Sequence, residues 1–312
     1  MKIIHVITSL NDGGAEAVLF NLCKYDKKNK HQVVSLTGYG KYGSMLKEIG
    51  INTVKLNMMS NRLSLIPFFK LIKFLQNKKP DIVQTWLYHG DLVGGLAARI
   101  AGIKSIVWGI HHTTLDSYKS KKITIWISKL LSKLSWWIPK KIISCSRRGI
   151  DTHKKLGYDF RKMCFIPNGY DLDSFRFKEY QQDKLKINLN LDTSVPLIGT
   201  VGRFDSQKDH LNLLDALVIL AKDKILFNYV LVGTGLDQSN KQIVEWIRKR
   251  GLSTYVKLLG QRNDIPKIMN GLDLHVLPSA FGEAFPNVVN EAMACGTPCV
   301  VTNVGDASFI VG

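Results

Sequence analysis

Along the chain, short apolar runs alternate with longer stretches in which apolar residues recur at helical spacing. Lys2 to Ile7 is apolar and β-branched and reads as a buried first strand. A glycine turn, Asn11-Asp12-Gly13-Gly14-Ala15-Glu16, leads into a helical pattern through Ala17, Leu19, Phe20 and Leu22. The alternation continues with Gln32 to Leu36, a helix near Ser44 to Ile49, Val54 to Leu56, a helix from Leu65 to Gln76, and Asp81 to Thr85. A Gly/Ala/Leu-rich helix from Asp91 to Ala101 follows, then a strand from Ser105 to Ile110 that delivers His111-His112-Thr113-Thr114 at its carboxyl end. Strand and helix in strict alternation predict a parallel, doubly wound sheet.

Ile142 to Ser146 is a short strand and Phe165-Ile166-Pro167-Asn168-Gly169-Tyr170-Asp171 a turn. The polar Lys/Gln/Asn-rich run from Tyr180 to Ser194 marks a boundary, giving domains 1–180 and 181–312. The second half restarts with Pro196 to Val201, then Tyr229 to Val232 before Gly233-Thr234-Gly235, and Val256 to Leu259 before Gly260-Gln261-Arg262. Leu272 to Leu277 reads as a buried parallel strand ending at Pro278, and a Gly-containing loop carries the chain to a helix start at Pro286-Asn287. Gly296 and Pro298 stop that helix, and Cys299-Val300-Val301 begins another strand. The fold expected is α/β, two Rossmann-like domains in series.

One stretch stands apart. From Tyr118 to Ser144, Ile123, Trp126, Ile127, Leu130, Leu131, Leu134, Trp137 and Ile138 fall on one helical face. Lys119, Lys121, Lys122, Lys129, Lys133, Lys140 and Lys141 surround it without an acidic residue. A core helix and a membrane-surface helix share this pattern. The expectation is that the stripe is core, with the lysines and Trp136 free to meet an anionic bilayer.

Charge sharpens that picture. The 312 residues carry a net +18, and residues 1–180 hold all of it, 30 Lys+Arg against 12 Asp+Glu, whereas residues 181–312 hold 13 of each. Such a field favours nucleic acid, an anionic membrane face or a polyanionic substrate. No nucleic-acid-binding motif with interleaved aromatics accompanies it, so nucleic acid is not expected as a partner. Hydrophobic content of 45% and charged content of 22% are those of a globular protein. The five cysteines (Cys23, Cys145, Cys164, Cys295, Cys299) are scattered and lack metal-ligand spacing, which points to a reducing cytosol and no zinc or iron centre. The amino end, a strand and glycine turn, is not a signal peptide, and no apolar run reaches membrane-spanning length.

The candidate chemistry sits at strand ends. Glu283 falls on the strand-to-helix loop and Glu291 about a turn into the helix, so both carboxylates can face the crevice where open α/β sheets bind ligands. Taken alone, two acids near a helix start are also what dipole complementarity on a solvated face produces. Arg203 and Lys208, five residues apart on a strand-end loop, suit a diphosphate, Arg as a planar fork and Lys as a point charge; isolated, they also read as solvated cations. Gly13-Gly14 would let backbone N–H groups approach a phosphate, or simply make a β-to-α turn. His111 and His112 are candidates for hydrogen bonding or proton handling, with the register between them open.

In sequence order, SLNDGGAE, the strand-end histidine, Pro167-Asn168-Gly169, GRFDSQKDH, Leu231-Val232-Gly233-Thr234-Gly235, Leu258-Leu259-Gly260 with Asp264-Ile265, and FGEAFPNVVNEAMACGTPCV resemble retaining glycosyltransferase family 4. The resemblance implies a GT-B fold, two Rossmann-like domains facing a cleft, with the second expected to be incomplete because members continue past Gly312. It implies a metal-independent hexosyltransferase without cofactors, whose donor is a nucleotide-sugar of the UDP type. Arg203 and Lys208 would hold the diphosphate, Glu291 the ribose, and Glu283 with Ala284, Phe285, Pro286 and Asn287 the sugar. Leu259 and Gly233 would border the nucleotide, Gly14 would meet the phosphates, and His112 would bond the sugar or the catalytic intermediate. The basic first domain then fits a lipid-linked glycan acceptor in surface-polysaccharide assembly, the enzyme lying peripherally on the cytoplasmic face of the membrane. An inactive nucleotide-sugar-binding relative or fragment, or a GT-B sugar-nucleotide epimerase, is the alternative.

Overall fold

A computed structural model describes residues 1–58, 65–113, 122–179 and 181–312. Thr114, Tyr118, Lys119, Lys121 and Tyr180, named above, lie outside the described residues. The chain divides into two compact units, Met1–Gly169 and Tyr170–Gly312.

In the first unit the strands β1 (Lys2–Ile7), β2 (Lys30–Ser35), β3 (Asn52–Lys55), β4 (Ile82–Trp86), β5 (Ile106–Ile110), β6 (Lys141–Ser144) and β7 (Met163–Phe165) form one sheet in the order β3-β2-β1-β4-β5-β6-β7. The pairings are parallel throughout. Helices α1 (Gly14–Tyr25), α2 (Gly40–Glu48), α3 (Leu65–Lys78), α4 (Leu87–Ile100), α5 (Lys122–Leu134) and α6 (Arg147–Lys155) connect them. Period-two alternation sorts the side chains of β1 between two layers. Ile4 and Val6 join Leu71, Leu75, Ala97, Ala98, Trp108 and Leu131 in one core, whereas Ile7 joins Leu19, Val33 and Leu46 in the other. α4 lies close on the sheet because Gly94 has no side chain: a Cβ there would come within 2.9 Å of Val6 and Thr85. The chain winds from β1 out to β3 and then restarts on the far side at β4, so the order reverses between β1 and β4.

α5 corrects the expectation of a core stripe. Ile127, Leu131 and Ile138 are buried, but Trp126 is 60% exposed, Trp137 74%, and Ile123 also faces water. The stripe is wider than the groove against α4, so Ile123, Trp126 and Trp137 are left outside. No helix among the described residues is long and apolar enough to cross a membrane.

The second unit holds β8 (Leu197–Val201), β9 (Asn228–Val232), β10 (Val256–Gly260), β11 (Leu274–Leu277) and β12 (Cys299–Val301), in the order β10-β9-β8-β11-β12 and again parallel. Its helices are α7 (Gln181–Asn188), α8 (His210–Lys222), α9 (Lys241–Lys249), α10 (Ile265–Gly271), α11 (Asn287–Ala294) and α12 (Ala307–Val311). The order reverses between β8 and β11.

The division between units lies earlier than residue 180 because the chain is already packed on the second unit by then. Phe175 joins the core beneath α10, and the Lys178 amide donates to Asn270 Oδ1 at 2.7 Å. The polar run expected as a linker contains α7. Its Leu185 is buried against α10, and the buried Lys186 ammonium lies 2.9 Å from Asp273 and 3.0 Å from the Thr193 carbonyl oxygen.

Candidate functional site

Two loops flank the reversal point of the second sheet, where doubly wound folds place their ligands. The loop after β8 carries Arg203 and Lys208, and the loop after β11 carries Glu283. They are tied together by backbone, the Ala280 amide donating to the Gln207 carbonyl at 2.9 Å. Gly282, at φ +80, lies so near Gln207 that a Cβ would sit 3.0 Å from its amide carbon. Gly305, at φ +58, underlies the Glu283 and Ala284 carbonyls, where only a glycine fits, and the Asp306 amide donates to the Ala284 carbonyl at 2.9 Å.

Glu283 is buried and its Oε1 collects three donors: Lys208 Nζ at 2.6 Å, the Ser279 hydroxyl at 2.7 Å and Gln207 Nε2 at 3.2 Å. A charge-assisted, multiply bonded carboxylate of this kind holds its position tightly. Lys208 has two further N–H groups on its ammonium. Asp209, at φ +44, takes the strained left-handed conformation directly after it and caps α8 through its side chain. Arg203 reaches into solvent with its Nε 3.3 Å from Asp205, an exposed pair contributing little to stability. His210 supports that loop: it stacks on Phe204 at 5.6 Å and contacts the Arg203 carbonyl through Nε2 at 3.2 Å.

Glu291 lies on α11, half-buried, and burial alone pushes its carboxyl up to about 7. Asn287 begins α11, and its Oδ1 accepts from the Tyr170 hydroxyl at 3.4 Å. Ala284 and Pro286 are buried and Phe285 is half-buried along the same loop. Gly233, at φ +145, ends β9 hard against the Gly202 carbonyl, so the first and second strand-end loops pack without side chains between them. Leu259 is half-buried on β10. Thus Arg203, Lys208, Gly233, Leu259, Glu283 to Asn287 and Glu291 belong to one unit, and the structure brings Lys208 and Glu283 into direct contact.

Gly14 and His112 belong to the first unit, both at the carboxyl edge of its sheet. Gly14 opens α1, and Glu16, buried in the first turn, accepts from the Ser9 hydroxyl at 3.3 Å. The two strand-end histidines separate clearly. His111 turns back, stacked on Trp86 at 5.2 Å, its Nδ1 3.8 Å from Cys145 Sγ, and burial followed by His112 lowers it to about 4. His112 is exposed and stacks on Tyr88 at 5.9 Å. Of the two, His112 is the more exposed.

Among the described residues, His5, Cys23 and His31 are near enough to share a metal ion. Their hydrogen bonds have another order. Trp86 Nε1–H donates to His5 Nδ1 at 3.3 Å, so His5 carries its proton on Nε2 and gives it to His31 Nδ1 at 2.9 Å. Both ring nitrogens of His5 are engaged, and burial, then His31, lowers it to about 3, keeping it neutral. Sequence reasoning passed over Ser279, Gln207, Trp86 and Tyr88. The first two stand in or beside the motifs read above, but nothing local announces that they converge on Glu283. The aromatics read only as strand and helix residues.

Against known proteins, residues 12–174 match the model of Glycosyltransferase Family 4 and residues 181–312 that of Glycosyl transferases group 1. The chain is 30% identical over 266 residues to the UDP-Gal:alpha-D-GlcNAc-diphosphoundecaprenol alpha-1,3-galactosyltransferase of Escherichia coli, covering 82% of this chain and 65% of that one. It is 28% identical over 309 residues to the N,N'-diacetylbacillosaminyl-diphospho-undecaprenol alpha-1,3-N-acetylgalactosaminyltransferase of Campylobacter jejuni, covering 94% and 79%. Anabaena HepE in complex with UDP has a TM-score of 0.84 at 25% identity, covering 100% of this chain and 83% of that one. The lipopolysaccharide glycosyltransferase WaaG, at 13% identity and a TM-score of 0.72, covers 99% of this chain and 83% of that one and shares the fold. With one family model laid over the first unit, the other over the second, and the two-glutamate loop at the reversal point of the second sheet, the chain belongs to glycosyltransferase family 4.

Proposed function

We propose that the chain transfers a hexosyl group from a UDP-sugar to a hydroxyl of a lipid-linked glycan, with retention at the anomeric carbon and without a metal ion. The observation that carries this reading is the meeting of Lys208 and Glu283, 2.6 Å apart, across the point where the second sheet reverses its order, with Arg203 exposed on the same loop as Lys208. Two cations at a strand-end crevice suit a diphosphate and can stabilise its departing charge in place of a metal. Glu283, held rigid by its three donors, together with Ala284 to Asn287, meets the sugar hydroxyls; Glu291 meets the ribose, and Gly233 and Leu259 border the nucleotide. In the first unit taken by itself, Gly14 is assigned to phosphate and His112 to sugar. In the transfer the bond from C1 to the β-phosphate oxygen breaks and UDP leaves with the electron pair. The acceptor oxygen bonds C1 on the face that UDP vacates, and its proton passes to a departing phosphate oxygen.

The donor assignment is supported by the UDP-Gal named for the Escherichia coli relative and the UDP held by HepE. The acceptor assignment is supported by the diphosphoundecaprenol-linked sugars in the names of two relatives. The positive first 180 residues fit work at the anionic cytoplasmic face of a membrane.

Thermal unfolding tests the donor site. UDP, UDP-glucose, UDP-galactose and UDP-N-acetylgalactosamine should raise the melting temperature, since a ligand at a hundred times its Kd stabilises by about 2.7 kcal/mol. The shift should persist in EDTA and vanish in Arg203→Ala and Glu291→Ala. No shift with any uridine compound would overturn the reading, and a shift lost in EDTA would overturn its metal independence.

A further inference from the structure

We infer that Tyr88, locked by His153, is a positioning residue for His112; the inference rests on the role given to His112 above. β4 ends at Trp86 and α4 begins at the next residue, with no loop between them. The turn is made by Leu87 at φ +66, a left-handed conformation that strains a non-glycine residue and collects at functional sites. Its consequence is that the rings on either side, Trp86 and Tyr88, each lie under one of the two strand-end histidines, at interplanar angles of 14° and 17°.

Tyr88 is 4% exposed, and its hydroxyl lies 2.7 Å from His153 Nε2. His153 Nδ1 lies 2.7 Å from the Gly149 carbonyl oxygen. A carbonyl only accepts, so Nδ1 carries the proton, Nε2 is the acceptor, and the Tyr88 hydroxyl donates. Burial keeps His153 neutral, which preserves that acceptor. Tyr158 closes the other side of His153 with an edge contact, centroids 4.9 Å apart and planes at 82°. The result is a buried column, Tyr158, His153 and Tyr88, that ends under the exposed imidazole of His112. A buried hydroxyl is costly unless bonded, and here its bond fixes the tilt of the ring on which His112 rests. His111, in contact with Trp86 and Cys145, is less exposed than His112.

The test uses the full chain with UDP-glucose, UDP-galactose and UDP-N-acetylgalactosamine, following UDP release. His112→Ala should lower kcat about a hundredfold, within the range of a lost proton-handling or polar catalytic group. Tyr88→Leu, which removes the ring, should lower kcat about thirtyfold, and Tyr88→Phe, which frees it, about fivefold, each with KM for the donor within about twofold, because a misplaced group costs rate more than ground-state binding. The pair Tyr88→Phe/His153→Leu removes both polar partners without orphaning either, so the fold is kept and the fivefold loss should remain. Unchanged kcat in all Tyr88 variants, with His112→Ala impaired, would overturn this inference alone. An unimpaired His112→Ala would remove the role of His112 and this inference with it. A second readout needs no turnover: in the chain labelled with 13C-histidine, the His112 Cε1–H resonance, assigned through His112→Gln, should move in Tyr88→Phe and in Tyr88→Leu. An unmoved resonance would overturn the inference even if no donor were consumed.

Discussion

At Glu291 a single carboxyl couples stability to pH. Burial raises it from 4.5 to about 7 in the folded chain. The folded state therefore keeps a proton that the unfolded state gives up, and the stabilisation is full below pH 4.5 and lost as pH rises through 7. The shift corresponds to at most about 3 kcal/mol, discounted because the side chain is partly open to water. Glu291→Gln, neutral at every pH, should match the native chain at pH 4.5 and exceed it by about 1–2 kcal/mol at pH 8 in denaturant unfolding; an equal difference at both pH values would mean that the carboxyl is not held in its neutral form. The position of Glu291 one turn into a helix was legible from its spacing after Pro286. Its proton affinity was not, because that depends on what covers it. The same holds for Lys208 and Glu283: each was legible as a strand-end charge, but the contact joins residues 75 apart in sequence and appears only when β8 and β11 are neighbours.

At the level of elements, what could be read ahead was whatever declares itself by a continuous apolar run. Lys2–Ile7 forms β1 with the expected bounds, and α11 begins at Asn287 as Pro286 foretold. What could not be read was α7, where a mostly polar stretch forms a helix because Leu185 finds a partner in α10 and Lys186 pairs with Asp273. The fit is close: a Cβ on Gly271, the last residue of α10, would fall on the Leu185 side chain. Gly271→Ala should therefore cost about 1–3 kcal/mol by overpacking, and Leu185→Ala about 2–4 kcal/mol by leaving a cavity. The double variant should cost less than the two together by at least about 1 kcal/mol, since the added methyl enters the space that Leu185 vacates. Simple additivity in urea unfolding would mean that α7 does not rest on α10 there. The exposure of Ile123 and Trp126 on α5 was missed for the complementary reason, since an amphipathic pattern states that one face is apolar but not how wide a groove awaits it.

For the first unit, lysines and exposed apolar residues occur together on two helices, α3 and α5. All of the net +18 lies in residues 1–180. In a parallel sheet each connecting helix runs against its strands, so α3 and α5 both start at the carboxyl edge, the edge that also bears Gly14 and His112. Both pack against α4, and their first turns expose Leu65, Ile66 and Phe69 on one and Ile123 and Trp126 on the other. Neither helix carries an acidic residue, while α3 holds Lys70 and Lys73 and α5 holds Lys122, Lys129 and Lys133. Lysine near an anionic surface gains about 1 kcal/mol each, and a side chain of this size moved from water into lipid about 1.5–3 kcal/mol. Neither contribution suffices alone for stable attachment, so binding should require both. The full chain should float with vesicles rich in phosphatidylglycerol and not with phosphatidylcholine alone, and should come off as salt rises from about 50 to 300 mM, when the Debye length falls below about 10 Å. Phe69→Ser with Trp126→Ser should weaken flotation about tenfold while leaving the UDP melting shift intact, because Arg203, Lys208 and Glu291, the groups proposed to hold the donor, belong to the second unit. Flotation indifferent to anionic lipid would sink the membrane-face assignment without touching the donor site, and flotation unchanged in the double variant would leave the lysines as a purely electrostatic attachment.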